Sequence, residues 1–167
     1  MAAADAAELE TIAVLDVPRY MGLWHQIAHL PNRFQAVCAA ETRANYSLQE
    51  DGRVRVVNEC REANGTIERA EGVARPNREW DDAARLEVRF APAWLSFLPF
   101  VWGDYWILAL EPDYSAALVG APNRAYLWVL ARTESLPRAT YQRLIDTARR
   151  QGFAVDELRL EHPGAVD

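Results

Sequence analysis

The chain has 167 residues, 50 % hydrophobic and 25 % charged, with six Trp, six Tyr and five Phe. That length suits one domain spanning 1–167, and that composition excludes disorder. A net charge of −6 offers no basic face for a phosphate backbone, so nucleic acid is not an expected partner.

No apolar run approaches the ~20 residues a membrane-spanning helix requires. The start, Met-Ala-Ala-Ala-Asp-Ala-Ala-Glu, has neither a basic region nor an apolar stretch of the kind that makes an export signal. It fits an added Met ahead of a mature exported chain, or a native cytosolic start.

Strand-like runs then follow one another between turn signals. The first spans 22–30. Runs at 41–49 and 53–61 flank Glu50-Asp51-Gly52, a hairpin signal. Asn64-Gly65 turns into 66–75, and 85–91 alternates Leu86, Val88 and Phe90 with Glu87 and Arg89. Runs at 103–110, 114–121 and 125–132 complete a set of eight. Even spacing of short strands indicates an all-β fold, a sandwich or an up-and-down antiparallel barrel over 22–132. One helix is predicted over 137–151, because Tyr141, Leu144, Ile145 and Ala148 fall at i, i+3, i+4 and i+7. It must pack its single apolar stripe on the outside of the strands. A short last strand is expected at 157–161, and His162-Pro163-Gly164 reads as a fraying end.

Cys38 and Cys60 fit neither a zinc site nor a redox motif. Buried thiols are one reading; a disulfide, implying an oxidising compartment, is the other. If 50–53 is the turn, Cys60 lies across from about Thr42, and Cys38, a few residues beyond, can fold back to it. We therefore expect a Cys38–Cys60 bridge. His25 and His29, four apart on a strand, share the face opposite Trp24 but lie ~13 Å apart, too far for one ion. No metal or cofactor is expected. Hydrolase, P-loop and dinucleotide motifs are absent from the sequence; Asp104-Tyr105 is the one pair with acid–base potential.

Residues 15–28, with Gly-x-Trp at Gly22 and Trp24, resemble the opening of a lipocalin, and 126–133, with Arg132, resembles its closing motif. Arg33-Phe34-Gln35, 44–47 and 114–124 resemble the bacterial lipocalin and apolipoprotein D branch. The resemblance spans roughly 16–160 and implies an eight-stranded barrel with one closed end and a helix packed outside. His25 departs from the usual Tyr, and 92–101 is more apolar than the pattern.

In a meander barrel, Trp24 at the start of the first strand and Arg132 at the end of the eighth fall at one end. A cation–π contact of ~0.5–2 kcal/mol is expected between them. Strand parity sorts the wall. Thr42, Ala44, Tyr46 and Leu48 face inward opposite Arg43 and Gln49. Val54, Val56, Asn58 and Cys60 do so opposite Arg55 and Glu59. Ala70, Gly72 and Ala74 follow, then Leu86, Val88 and Phe90. Periodicity leaves open whether Tyr105, Ile107 and Ala109 or Trp106, Leu108 and Leu110 face in; the resemblance implies Tyr105 and, in the eighth strand, Trp128.

The expected function is binding of a hydrophobic ligand, fatty acids or lysophospholipids, without catalysis. The expected wall is Tyr46, Val56, Asn58, Val88, Phe90, Tyr105, Ile107 and Trp128. Trp94, Phe97, Phe100 and Trp102 mark an apolar loop at the open end, suited to a membrane surface or to pairing two barrels. The expected location is a bacterial cell envelope. The alternatives are a barrel-fold enzyme on a lipid (isomerase or hydrolase) and a solid-core interaction module.

Overall fold

Period-two alternation becomes a closed antiparallel wall in the computed structural model, which describes residues 8–32, 35–77, 82–90 and 101–167. The elements are α1 (Val17–Tyr20), β1 (Gly22–His29), β2 (Cys38–Leu48), β3 (Val54–Glu62), β4 (Ile67–Pro76), β5 (Arg85–Arg89), β6 (Gly103–Leu110), β7 (Ala116–Gly120), β8 (Leu127–Ala131), α2 (Arg138–Arg150) and β9 (Arg159–Leu160). Each strand pairs with its neighbour in sequence, and β8 and β2 both pair with β1, which closes the barrel; β9 adds beside β1. All eight predicted strands are present. Helix α1 and the 3₁₀ turn Val155–Glu157 are additions to the expected elements.

Two apolar clusters share the strands. Inside lie Tyr20, Trp24, Tyr46, Val54, Val56, Leu86, Ile107, Val119 and Leu130. Outside, Ile27, Leu108, Leu118, Leu127 and Val129 meet Leu144, Ile145 and Ala148 of α2. The helix lies against β6 and β7, and each fully buried Leu or Ile of its stripe contributes about 1.5–3 kcal/mol.

The parity expected from charge alternation holds for β2 to β5. It breaks where register slips. A bulge between Ile107 and Ala109 leaves Tyr105 and Ile107 inside but turns Ala109 to the outer cluster and Leu110 inward. A second bulge, between Gln26 and Ala28, carries His29 to the side of Gln26, whose amide it meets at 3.0 Å. The two histidines therefore do not share a face. Gly72, opposite Phe90, is a requirement of close approach: a Cβ there would lie 2.5 Å from the Arg89 carbonyl oxygen and 2.7 Å from the Phe90 ring.

Both ends of the described chain are tied down. The tail does not fray: Ala165 and Val166 are buried, and Leu136 and Arg138 exchange backbone hydrogen bonds of 2.7–2.9 Å with Ala165 and Asp167. At the other end Leu9 is buried with the helix, while Ile12, Leu15 and Val17 cover the inner cluster. Sequence patterning missed this segment because it has no period and makes one backbone bond to the barrel, Ile12 N–H to Ile107 O (3.0 Å).

Cys38 and Cys60 form the expected disulfide, spanning 22 positions with Cα atoms 5.5 Å apart. Closing a loop of that size stabilises by about 3 kcal/mol in the chain-entropy model. Reduction should lower the unfolding free energy by that amount in denaturant titrations with and without reductant. Two thiols reactive in denaturant without reductant would show the bridge absent.

Candidate functional site

The closed end is built around Trp24, which has no exposed surface. Its indole N–H donates to the Tyr20 carbonyl (2.8 Å), and the Arg132 guanidinium lies over its ring at 3.8 Å. The guanidinium also donates to the carbonyls of Leu23 (2.9 Å), Arg19 (3.0 Å), Tyr20 (3.2 Å) and Tyr114 (3.3 Å). Gly22 adopts φ +97°, a left-handed conformation that strains any side chain, with Arg132 Nη1 3.5 Å from where a Cβ would sit. The expected end motif of Gly22, Trp24 and Arg132 is thus one unit.

Above it, three phenols converge. Tyr105 shares hydrogen bonds with Tyr20 (2.7 Å) and Tyr46 (2.9 Å). Burial pushes Tyr20 and Tyr105 well above the usual phenol pKa and Tyr46 to about 12. The cavity beside them is apolar and only about 30 Å³, lined by Leu15, Val17, Met21, Val56, Val88 and others, roughly the volume of one water. The floor is therefore filled. Tyr46, Val56 and Tyr105 form that floor, and Ile107 is fully buried behind it. Val88 and Trp128 pack along its edge. Phe90, over Gly72, keeps 47 % of its surface exposed, and Asn58, paired with Ala44 and Ala70, is half-buried on the upper wall. Asp104 pairs with Glu87 on the outer face, so it does not work with Tyr105.

At the open end a polar chain crosses from lumen to seam. Trp128 Nε1 donates to Gln35 Oε1, Gln35 Nε2 to Gln26 Oε1, and Gln26 Nε2 to Glu161 Oε2, each at 2.8 Å. Glu161 Oε1 accepts the Thr42 backbone N–H at 2.7 Å. Burial lowers the pKa of His29, opposed by Glu161 and aided by Arg159. Sequence reasoning assigned no role to Gln26, Gln35, Glu161 or Tyr20. Gln26, a polar residue in an otherwise apolar strand, was the one visible signal. Trp102 stacks against Arg75 (3.6 Å) and Arg89 (5.4 Å), on the row of side chains outside the barrel. Trp94, Phe97 and Phe100 lie outside the described residues.

A family model described as a lipocalin-like domain matches residues 15–163. The chain belongs to the lipocalin family. Temperature-induced lipocalin-1 of Arabidopsis thaliana is 42 % identical over 152 residues, 90 % of this chain and 81 % of the relative. The outer membrane lipoprotein Blc of Escherichia coli (strain K12) is 35 % identical over 156 residues, 90 % and 81 % of the two chains. Apolipoprotein D of Bos taurus is 31 % identical over 151 residues, 87 % and 75 %. Insecticyanin of the tobacco hornworm Manduca sexta shares the fold, with a TM-score of 0.73 at 17 % identity, covering 94 % of this chain and 85 % of that one. Lipocalins bind small hydrophobic ligands.

The buried triad gives an alkaline signature. In the unfolded chain phenols ionise near ~10, whereas here they hold their protons. Their contribution to stability is complete below about pH 10 and is lost as the pH rises toward 12. In an alkaline titration, at least three of the six tyrosines should ionise only as the near-ultraviolet circular dichroism collapses. Ionisation of all six ahead of that collapse would contradict the buried triad.

Proposed function

We propose that this lipocalin carries or stores long-chain fatty acids or lysophospholipids in its lumen, at or near a membrane, without chemistry on the lipid. The observation that carries the reading is the inner wall itself. Above a closed tyrosine floor, Val88, Phe90 and Trp128 present apolar surface, Ala70 and Gly72 of β4 add no bulk, and Phe90 remains half exposed. Each methylene buried there is worth ~0.8 kcal/mol, so a long acyl chain is the natural occupant. In a titration with a C16–C18 fatty acid followed by Trp fluorescence, wild type should saturate and Trp128→Ala should show a weakened, smaller change. No saturable change in wild type would overturn the reading.

The membrane part rests on the rim. Val37, Ile67, Phe90 and Leu160 are exposed apolar side chains from four separate segments, all at the open end, and the sequence between β5 and β6 adds Trp94, Phe97 and Phe100. Such a ring in an acidic protein favours docking that is hydrophobic and insensitive to salt. The Blc relatives are named outer membrane lipoproteins, and a disulfide suits an oxidising envelope; both support a bacterial envelope location. Wild type should co-sediment with neutral phosphatidylcholine vesicles at low and high salt, and Phe97→Ser/Phe100→Ser should do so several-fold less. Equal sedimentation would rule out that loop as the contact. Pairing of two barrels through the same rim would appear instead as a dimer in sedimentation velocity.

A further inference from the structure

The barrel wall is not sealed by backbone along its whole height. β1 and β2 pair only over Gly22–His25 and Arg43–Tyr46. Beyond that point β2 swings away, its register with β3 shifting twice between Cys38 and Arg43, with Glu41 at φ 54°. β9 occupies the place beside β1. Of the hydrogen bonds among the described residues, the one joining this strand end to β2 is that from Thr42 N–H to the Glu161 carboxylate. A cleft of about 620 Å³ opens in the split, with His29, Asn32, Gln35, Thr42, Arg159 and Glu161 in its lining.

Two charges face this cleft. The Arg159 guanidinium makes no hydrogen bond or ion pair with any described residue. Glu161 spends one lone pair of each oxygen on Gln26 and Thr42, which leaves about two free. The two residues stand two apart on an extended segment, on one face, ~7 Å from each other. Both act electrostatically on the same imidazole, His29, in opposite senses. Glu161 would repel a simple anion, whereas a cation and an anion at this spacing suit a zwitterion. Gln35 forms the partition: it lines the cleft and accepts from Trp128 on the lumen side.

We propose that this side cleft receives the zwitterionic phosphate–ammonium head group of a lysophospholipid, with the phosphate on Arg159, the ammonium toward Glu161, and the acyl chain passing Gln35 into the lumen. This rests on the lumen reading above, and it selects lysophospholipid over fatty acid.

The test is isothermal titration calorimetry of wild type and Arg159→Ala with three probes. These are 1-myristoyl lysophosphatidylethanolamine, 1-monomyristoylglycerol (the same tail without charge) and O-phosphoethanolamine (the head alone). Arg159 is exposed, so its loss should leave the fold intact. Removing one charge-assisted contact should weaken the lysophospholipid about tenfold and leave the monoglyceride unchanged. Equal loss for both amphiphiles, or no loss for either, overturns the head-group site while the lumen reading stands. If wild type binds neither amphiphile, the lumen reading fails. In that case head-alone binding that Arg159→Ala weakens sustains the cleft as a zwitterion site, and no such binding overturns it too. Head-alone binding as tight as that of the lysophospholipid overturns the lipid assignment in favour of a free phosphorylated amine.

Discussion

Arg132 over Trp24 is the contact on which the barrel depends. The cation–π term alone is modest, ~0.5–2 kcal/mol. Its leverage comes from the other side of the guanidinium, which donates to four carbonyls from α1, the start of β1 and the turn before β7. Those carbonyls sit at helix and strand ends, where backbone acceptors lack ladder partners. One side chain thus satisfies the exposed ends of three segments and presses the indole of a fully buried Trp. Burial lowers the Arg132 pKa, and the nearby tyrosines oppose that shift; a guanidinium stays charged regardless. The disulfide, by contrast, joins β2 and β3 at the opposite end and leaves the floor untouched.

The two ends of the barrel are closed by different means, and function follows from the difference. The floor is closed by packing and by phenols hydrogen-bonded to one another. The open end is held by side-chain amides and one carboxylate. Amides and carboxylates can exchange partners with an incoming ligand at small net cost, because a typical hydrogen bond nets only about 0.5–1.5 kcal/mol. Evicting Trp24 would instead cost the ~3–5 kcal/mol of a large core deletion. The end that can open is therefore also the end with Asn32, Gln35 and His29 around it.

Much of this was legible in the sequence, for a physical reason. Charged residues cannot face an apolar lumen, so Arg43, Arg55, Glu59, Glu87 and Arg89 fixed the inner sets of β2 to β5 without any structure. Trp24 and Arg132 could be joined because an even number of antiparallel strands returns the chain to the end where it began. What was illegible was whatever breaks period two. A bulge adds a residue without changing composition, so neither the parting of Ala109 from Tyr105 and Ile107 nor that of His29 from His25 was visible. Residues 8–15 and 163–167 have no period at all; they are held by docking onto a surface that exists only after the barrel forms. Tyr20 was missed because it precedes the first strand, although it completes the triad with Tyr46 and Tyr105.

The same polarity gradient dictates how an amphiphile would enter. At the floor every phenol oxygen already has a partner, the adjoining cavity is apolar, and the phenols resist ionisation. The two hydrogen bonds use two of the three phenol protons, so a carboxylate or phosphate driven down to that level would exchange its whole hydration shell for one donor, a net cost. The Arg132 charge favours an anion at that level, but for Tyr20 and Tyr46 burial outweighs it, and the guanidinium makes its hydrogen bonds to carbonyls below. A methyl terminus loses nothing there. At the rim the ordering reverses: Arg159 and the second N–H of the Gln35 amide offer donors, and water is at hand. Tail-down insertion would thus follow from where the barrel keeps its unsaturated polar groups, and among the described residues the split between β1 and β2 is where those groups approach the lumen.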